Sequence, residues 1–224
     1  MELDFKTTQL DLDDYKNSKK VLVFLSGGCD SLYLLLQDLL CGYTVVATYV
    51  EIKNNRNKVK REQTALKLLQ NDIKKFCDYF KCKAPLFYGT QSIHILGQSF
   101  GRCAAPQQVI FAMFSILLGH GFDEVQMGIV QGDSMCENKF NNDVAHAYQQ
   151  NFYSKGFPHI TYPIEQVSKE AEYLTLKGYD ELLGTHFIQH LVCCESIDKP
   201  CGKVKKCLPC KTQHEVFKRL KWIK

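Results

Sequence analysis

No window of this chain approaches ~18 consecutive apolar residues, so a membrane-spanning helix is not expected. The first twenty residues, MELDFKTTQLDLDDYKNSKK, lack the basic-then-apolar order of a signal peptide, and no export is expected either. No internal repeat and no low-complexity tract interrupts the 224 residues, which suit one domain of good size with a small appendage. The seven histidines form no H-x-H pair. What remains is 45% hydrophobic and 23% charged, the make-up of an ordinary soluble enzyme.

Cysteine is the residue in excess. There are eleven, an odd number, and five of them crowd into Cys193–Cys210. With no export signal, reduced thiols in a cytoplasmic protein with one metal site near the C-terminus fit better than disulfides. The other six (Cys29, Cys41, Cys77, Cys82, Cys103 and Cys136) are scattered singly and read as core or surface thiols. The net charge of +4 is also uneven. Residues 1–14 are acidic, whereas residues 199–224 carry nine lysines and arginines against Glu215 alone. Such a tail could hold nucleic acid; lysines that offset thiolate charge are the plainer reading.

Apolar β-branched runs alternate with helical patterns, the order of an α/β fold with an open parallel sheet. Strands are expected at 21–25, 44–50, 85–88, 124–129 and 160–163. Helices are expected at 30–41, 59–80, 106–118, 143–152 and 168–176, with Ser168 as a cap and a last short helix at 214–222. Residues 89–105 read as a long loop of a length that is often functional, and 130–142 as a polar loop. The chain divides into an α/β domain, 1–183, and a C-terminal appendage, 184–224.

Between the first strand and helix stands L-S-G-G-C-D-S, Leu25 to Ser31. Two glycines let a ligand approach the backbone, and the N–H groups of a helix start make a concave anion site. Ser26 and Ser31 add hydroxyl donors. The loop has no Walker lysine and is not G-x-G-x-x-G. Asp30 beside phosphates calls for a divalent ion, and Mg2+ is implied. A plain tight turn, with Asp30 and Ser31 opening the helix, is the alternative.

The motif S-G-G-x-D-S after a first strand resembles the phosphate loop of the PP-loop ATP pyrophosphatases. The resemblance implies a Rossmann-like fold of the adenine nucleotide alpha hydrolase type and ATP bound by Leu25, Ser26, Gly27, Gly28, Cys29, Asp30 and Ser31. It also implies cleavage to AMP and pyrophosphate through an adenylated substrate. Two further stretches are similar to the 7-cyano-7-deazaguanine synthases of queuosine biosynthesis. Y-P-I-E-Q-V-S-K-E-A-E, residues 162–172, places Pro163, Lys169 and Glu172 at that family's spacing. Cys194, Cys201-Gly202, Cys207 and Cys210 resemble its zinc motif, and four thiolates suit a closed tetrahedral site. Cys193 is an alternative to Cys194, and His190 could replace one cysteine. Taken alone, Lys169 and Glu172 read as a surface pair on a capped helix, and the cysteines as free thiols.

The resemblance implies a ligase that adenylates 7-carboxy-7-deazaguanine, forms its amide with ammonia and dehydrates that to the nitrile. Asp30 and Lys169 would be catalytic, and Asp133, Ser134, Glu172 and Arg102 would meet the substrate. A homodimer is implied as well. The chain departs from the family at several points. Five residues, Gly202–Lys206, separate Cys201 from Cys207, and Gln213 stands where relatives carry arginine. The loop E-I-K-N-N-R-N-K at 51–58 lacks the family's glycine, and Ala105-Pro106-Gln107-Gln108 replaces a G-R-N stretch, with Arg102 nearby. These changes bear on the acceptor. The competing readings are transfer of the adenylated carboxylate to a protein amine, a tRNA-modifying PP-loop enzyme, and a catalytically idle nucleotide-binding partner.

Overall fold

The computed structural model describes residues 18–52, 56–93, 105–131, 147, 157–193 and 207–223. Five strands build one sheet: β1 (Lys20–Phe24), β2 (Thr44–Ile52), β3 (Leu86–Ile93), β4 (Glu124–Gln126) and β5 (His159–Thr161). Their order is β3-β2-β1-β4-β5, and every pair is parallel. Parallel strands must be joined by crossovers, and these carry α1 (Cys29–Leu40), α2 (Arg56–Phe80) and α3 (Ala105–Leu118). After the sheet come α4 (Lys169–Leu183), α5 (Phe187–His190) and α6 (Leu208–Arg219).

Both faces of the sheet are covered, which is why β1 reads as a continuous apolar run instead of alternating. Val21 and Val23 face a cluster with Leu32, Leu35, Leu69, Phe76 and Leu176, while Leu22 and Phe24 face Ile110, Phe114 and Val125. Each such leucine or phenylalanine contributes about 1.5–3 kcal/mol when fully buried. Phe187 and Val216 belong to the first cluster, so the described part of the C-terminal segment packs into the same layer as α1 and α2.

Several element boundaries differ from the sequence expectation. α2 opens at Arg56 and not 59, β4 ends at Gln126 and not 129, and β5 is His159–Thr161 and not 160–163. Three larger differences each have a local reason. β3 runs to Ile93, through residues expected to be loop, because β2 continues to Ile52 and the two pair again beyond an irregularity at Ala47–Tyr49. A half-buried edge strand written G-T-Q-S has too little apolar pattern to be recognised. α4 continues past residue 176 until Gly184, whose φ of 62° closes it in the left-handed region. α6 begins at Leu208, not 214, because Cys207 is its N-cap and Pro209 sits in its first turn. Ser168 does cap α4, accepting from the Ala171 N–H at 3.2 Å. Among the described residues no helix is long and apolar enough to cross a membrane.

Strand order reverses between β1 and β4. Ligands of open α/β sheets bind at such a switch point, beyond the carboxyl ends of the strands.

Candidate active site

Leu25–Ser31 occupies that switch point. Gly27 takes φ 78°, a region that disfavours every L side chain, and a Cβ there would stand 3.2 Å from the Ala65 Cβ. Gly28 is the N-cap of α1 with ordinary dihedrals, and its missing Cβ leaves room in front of Ser26 Oγ. The hydroxyls of Ser26 and Ser31 lie 3.2 Å apart. Ser31 Oγ accepts from the Ser26 N–H at 3.2 Å, and Ser26 Oγ from the Gly28 N–H at 3.3 Å. The turn therefore coils around two hydroxyls at the positive end of a twelve-residue helix, the arrangement that attracts an anion.

The start of α1 packs against Gly128, two residues beyond the end of β4. A Cβ at this position would meet the Asp30 carbonyl carbon and the Ser31 nitrogen at 2.8 Å. No residue larger than glycine can stand there without moving the loop. A lone glycine after an apolar strand, M-G-I-V, is the sequence signal for such a close approach.

Lys169, the first residue of α4, donates to the carboxylate of Asp30, and its ammonium also lies 3.2 Å from Glu172 Oε2. Glu172 is fully buried, so this pair is not the surface ornament that its spacing alone would allow. The cation and two carboxylates close one side of the loop. Ligand atoms of Cys29, Asp30 and Glu172 all lie within 4.8 Å of one another. Burial, then the Glu172 carboxylate, pushes the Cys29 thiol well up, with the Lys169 ammonium opposing, which disfavours its thiolate. Asp30 supplies a hard oxygen at the rim, which fits Mg2+.

On the far side of the loop, the Tyr49 hydroxyl donates to Glu62 Oε2 at 2.7 Å, with Lys58 at 3.5 Å from the same carboxylate. Burial pushes the Glu62 carboxyl up, and the Lys58 ammonium opposes that. No motif marks this pair; it joins the end of β2 to the first turns of α2.

The C-terminal thiols stand next to this site. Cys193 Sγ and Cys210 Sγ are 3.7 Å apart, and Cys193 donates to Gln213 Oε1 at 3.0 Å. A tetrahedral ion with bonds of about 2.3 Å to sulfur has edges of about 3.8 Å, so this pair fits zinc. Cys207 opens α6 but does not make a second compact three-ligand group with them among the described residues. Gln213 stands at the place of the family's arginine, and Tyr173 is buried on α4 one residue after Glu172. His190, the alternative ligand, is held through Nδ1 by Asp72 Oδ2 at 2.7 Å and ties α5 to α2. Cys194, Cys201, Arg102, Asp133 and Ser134 lie outside the described residues, as does most of the helix expected at 143–152.

No family model matches the chain, and no curated protein matches it. Among solved structures, a predicted subunit of tRNA methyltransferase from Methanocaldococcus jannaschii is similar at 11% identity, over 71% of this chain and 74% of that one, with a TM-score of 0.40. NMN synthetase from Francisella tularensis is similar at 14% identity, over 76% of this chain and 65% of that one, with a TM-score of 0.31. The chain thus spans just under two thirds of the length of that synthetase. Both scores lie below 0.5, and the fold stands on the strand order and register given above.

Proposed function

We propose that this chain is an ATP-using ligase of the PP-loop type, which adenylates a carboxylate with release of pyrophosphate. The observation that supports this most is the coiled S-G-G-C-D-S turn at the switch point, with the Lys169 ammonium brought onto Asp30 from a helix far along the chain. In this reading the Gly28 N–H and the hydroxyls of Ser26 and Ser31 hold the β- and γ-phosphates. Asp30 would hold Mg2+, which would supply charge neutralisation at the phosphates. Lys169 offers a point charge to the oxygen that becomes negative at the α-phosphate, and Glu172 keeps that ammonium aimed. Cys29 contributes shape only.

The acceptor in this proposal is a deazapurine carboxylate such as 7-carboxy-7-deazaguanine, converted with ammonia to the amide and onward to the nitrile. The similarity of Pro163, Lys169 and Glu172 to the deazaguanine synthases supports it, and so does a pair of thiols at the edge length of a zinc tetrahedron. Zinc would be held by Cys210 and Cys207 with Cys201 and either Cys193 or Cys194; the 3.7 Å approach of Cys193 to Cys210 supports Cys193. The test is incubation with ATP, ammonium and 7-carboxy-7-deazaguanine, read by mass spectrometry together with nucleotide and phosphate analysis. AMP, pyrophosphate and an acceptor lighter by one oxygen-for-nitrogen exchange support the proposal. ADP as the main product would overturn it, and AMP without change in this acceptor would move the acceptor to another amine or acid.

A further inference from the structure

The residue between the thiols and the phosphate loop has a geometry that neither site requires by itself. The Val192 N–H donates to the Gly27 carbonyl at 2.9 Å, and the Val192 carbonyl oxygen would lie 3.7 Å from a Cβ on Gly28. Main chain at position 192 thus covers both glycines of the cradle. The next residue, Cys193, is the one whose thiol meets Cys210. Cys210 is itself buried in the first turn of α6, and α6 rests on α4 through Phe217 against Tyr173, ring centroids 5.0 Å apart. α4 carries Lys169 and Glu172. The thiol pair and the phosphate loop are therefore two ends of one short chain of contacts.

The planar peptide gives that contact its consequence. In a trans peptide the carbonyl and the following N–H point in opposite directions. Anchoring the Gly27 carbonyl on Val192 therefore aims the Gly28 N–H the other way, toward Ser26 Oγ at 3.3 Å and the concave side of the loop. Without the anchor, two adjacent glycines have little to resist a flip of the peptide between them. A flip would turn an N–H out of the anion cradle and a carbonyl oxygen in.

We infer that Val192 is a positioning residue through which metal held by Cys193 and Cys210 fixes the Gly27–Gly28 peptide in its phosphate-binding orientation. Metal occupancy and phosphate affinity are then linked, and linkage is reciprocal. The inference rests on the zinc and nucleotide readings above. Only main chain is used at position 192, so the side chain there is free to change while the N–H is not.

The experiment measures inorganic pyrophosphate binding by calorimetry, in reducing buffer, to the full chain as purified and after removal of metal by a chelator. The metal-bearing chain is expected to bind pyrophosphate about tenfold more tightly, a typical coupling. Saturating pyrophosphate should raise zinc affinity by the same factor. Val192→Pro deletes the N–H, and Leu191 already has the extended dihedrals, φ −66° and ψ 145°, that a residue before proline adopts. This variant should keep its metal, lose about tenfold in pyrophosphate affinity and lose the linkage, whereas Val192→Ala should behave as the parent. Bound metal with equal pyrophosphate affinity in the loaded and stripped parent would overturn this inference alone, and needs no variant to fold. Metal-bearing Val192→Pro that binds pyrophosphate within threefold of the parent would do the same. A chain that neither carries nor takes up zinc would overturn the zinc reading and this inference with it.

Discussion

Lys169 reaches back across 139 residues to the carboxylate of Asp30, so the first turn of α4 and the first turn of α1 are joined at the mouth of the phosphate loop. The contact ties the first helix after the sheet to the first crossover helix, and its cation is shared with the buried Glu172. An ammonium held between two carboxylates is available to a third anion only if it can leave one of them, and Mg2+ on Asp30 would release it.

Lys169→Ala is therefore expected to lower pyrophosphate release about 10²–10³-fold while sparing ATP binding. Its stability should also fall, because Glu172 is left as a buried charge. Pairing the change with Glu172→Gln restores stability without restoring rate. Steady-state assays beside thermal melts check this, and turnover within about threefold of the parent would return Lys169 to a structural role. Asp30→Ala should be impaired in rate and partly relieved by raised Mg2+.

The two glycines of the loop should fail differently. Gly27→Ala forces a side chain into the left-handed region and against Ala65, so a loss of roughly 1–2 kcal/mol in stability is expected. Gly28→Val instead points its branches at Ser26 Oγ, 3.3 Å from the new Cβ. Its melting temperature should hold while nucleotide affinity collapses. Comparing melts with nucleotide titrations for both variants separates the routes; equal behaviour would mean that the cradle is not where phosphate sits.

Metal analysis of thiol variants is the third test. The purified, reduced chain should carry about one zinc, bound as folding free energy of the tail. Cys210→Ser and Cys193→Ser should lose it, because their sulfurs stand 3.7 Å apart. Cys41→Ser and Cys82→Ser should not. Full zinc content in Cys193→Ser with loss in Cys194→Ser would give the position to Cys194.

Asp38, buried at the opposite end of the sheet from the loop, carries a pH signature. Burial, helped by Glu124 and opposed by Lys19, pushes its carboxyl up to about 7 from an ordinary 3.8. The folded chain therefore binds this proton more tightly than the unfolded one. Its contribution to stability is complete below pH 3.8 and disappears as pH rises through about 7. Asp38→Asn should gain roughly 2 kcal/mol on the parent across that interval, at 1.36 kcal/mol per pH unit with about half realised. Urea unfolding at several pH values measures it, and parallel curves for parent and variant would exclude a raised pKa.

Much of the fold was legible along the chain. Alternating apolar runs and helical periods announce a parallel sheet because crossover helices bury both of its faces, and Val21–Leu25 is apolar throughout for that reason. The loop was legible because Gly27, Ser26 and Ser31 do their work within six residues. Ser168 was legible as a cap because capping is local. The extent of β3 was not, since only its pairing with β2 makes strand of a polar segment.

The site divides along the same line. Sequence by itself determined which residue types stand at the loop, and that Lys169 and Glu172 share a helix face at three-residue spacing. It could not say that Glu172 is buried, that Gly128 presses on Asp30, that Tyr49 holds Glu62, or that Cys193 meets Cys210. Nor could any pattern of side chains show Val192 bonded to Gly27, for a backbone N–H and a backbone carbonyl are the same in every residue but proline. Local chemistry is written in neighbouring letters. Contacts between distant segments exist only once the sheet and its helices have fixed where each main-chain atom stands, and tertiary structure alone decided those.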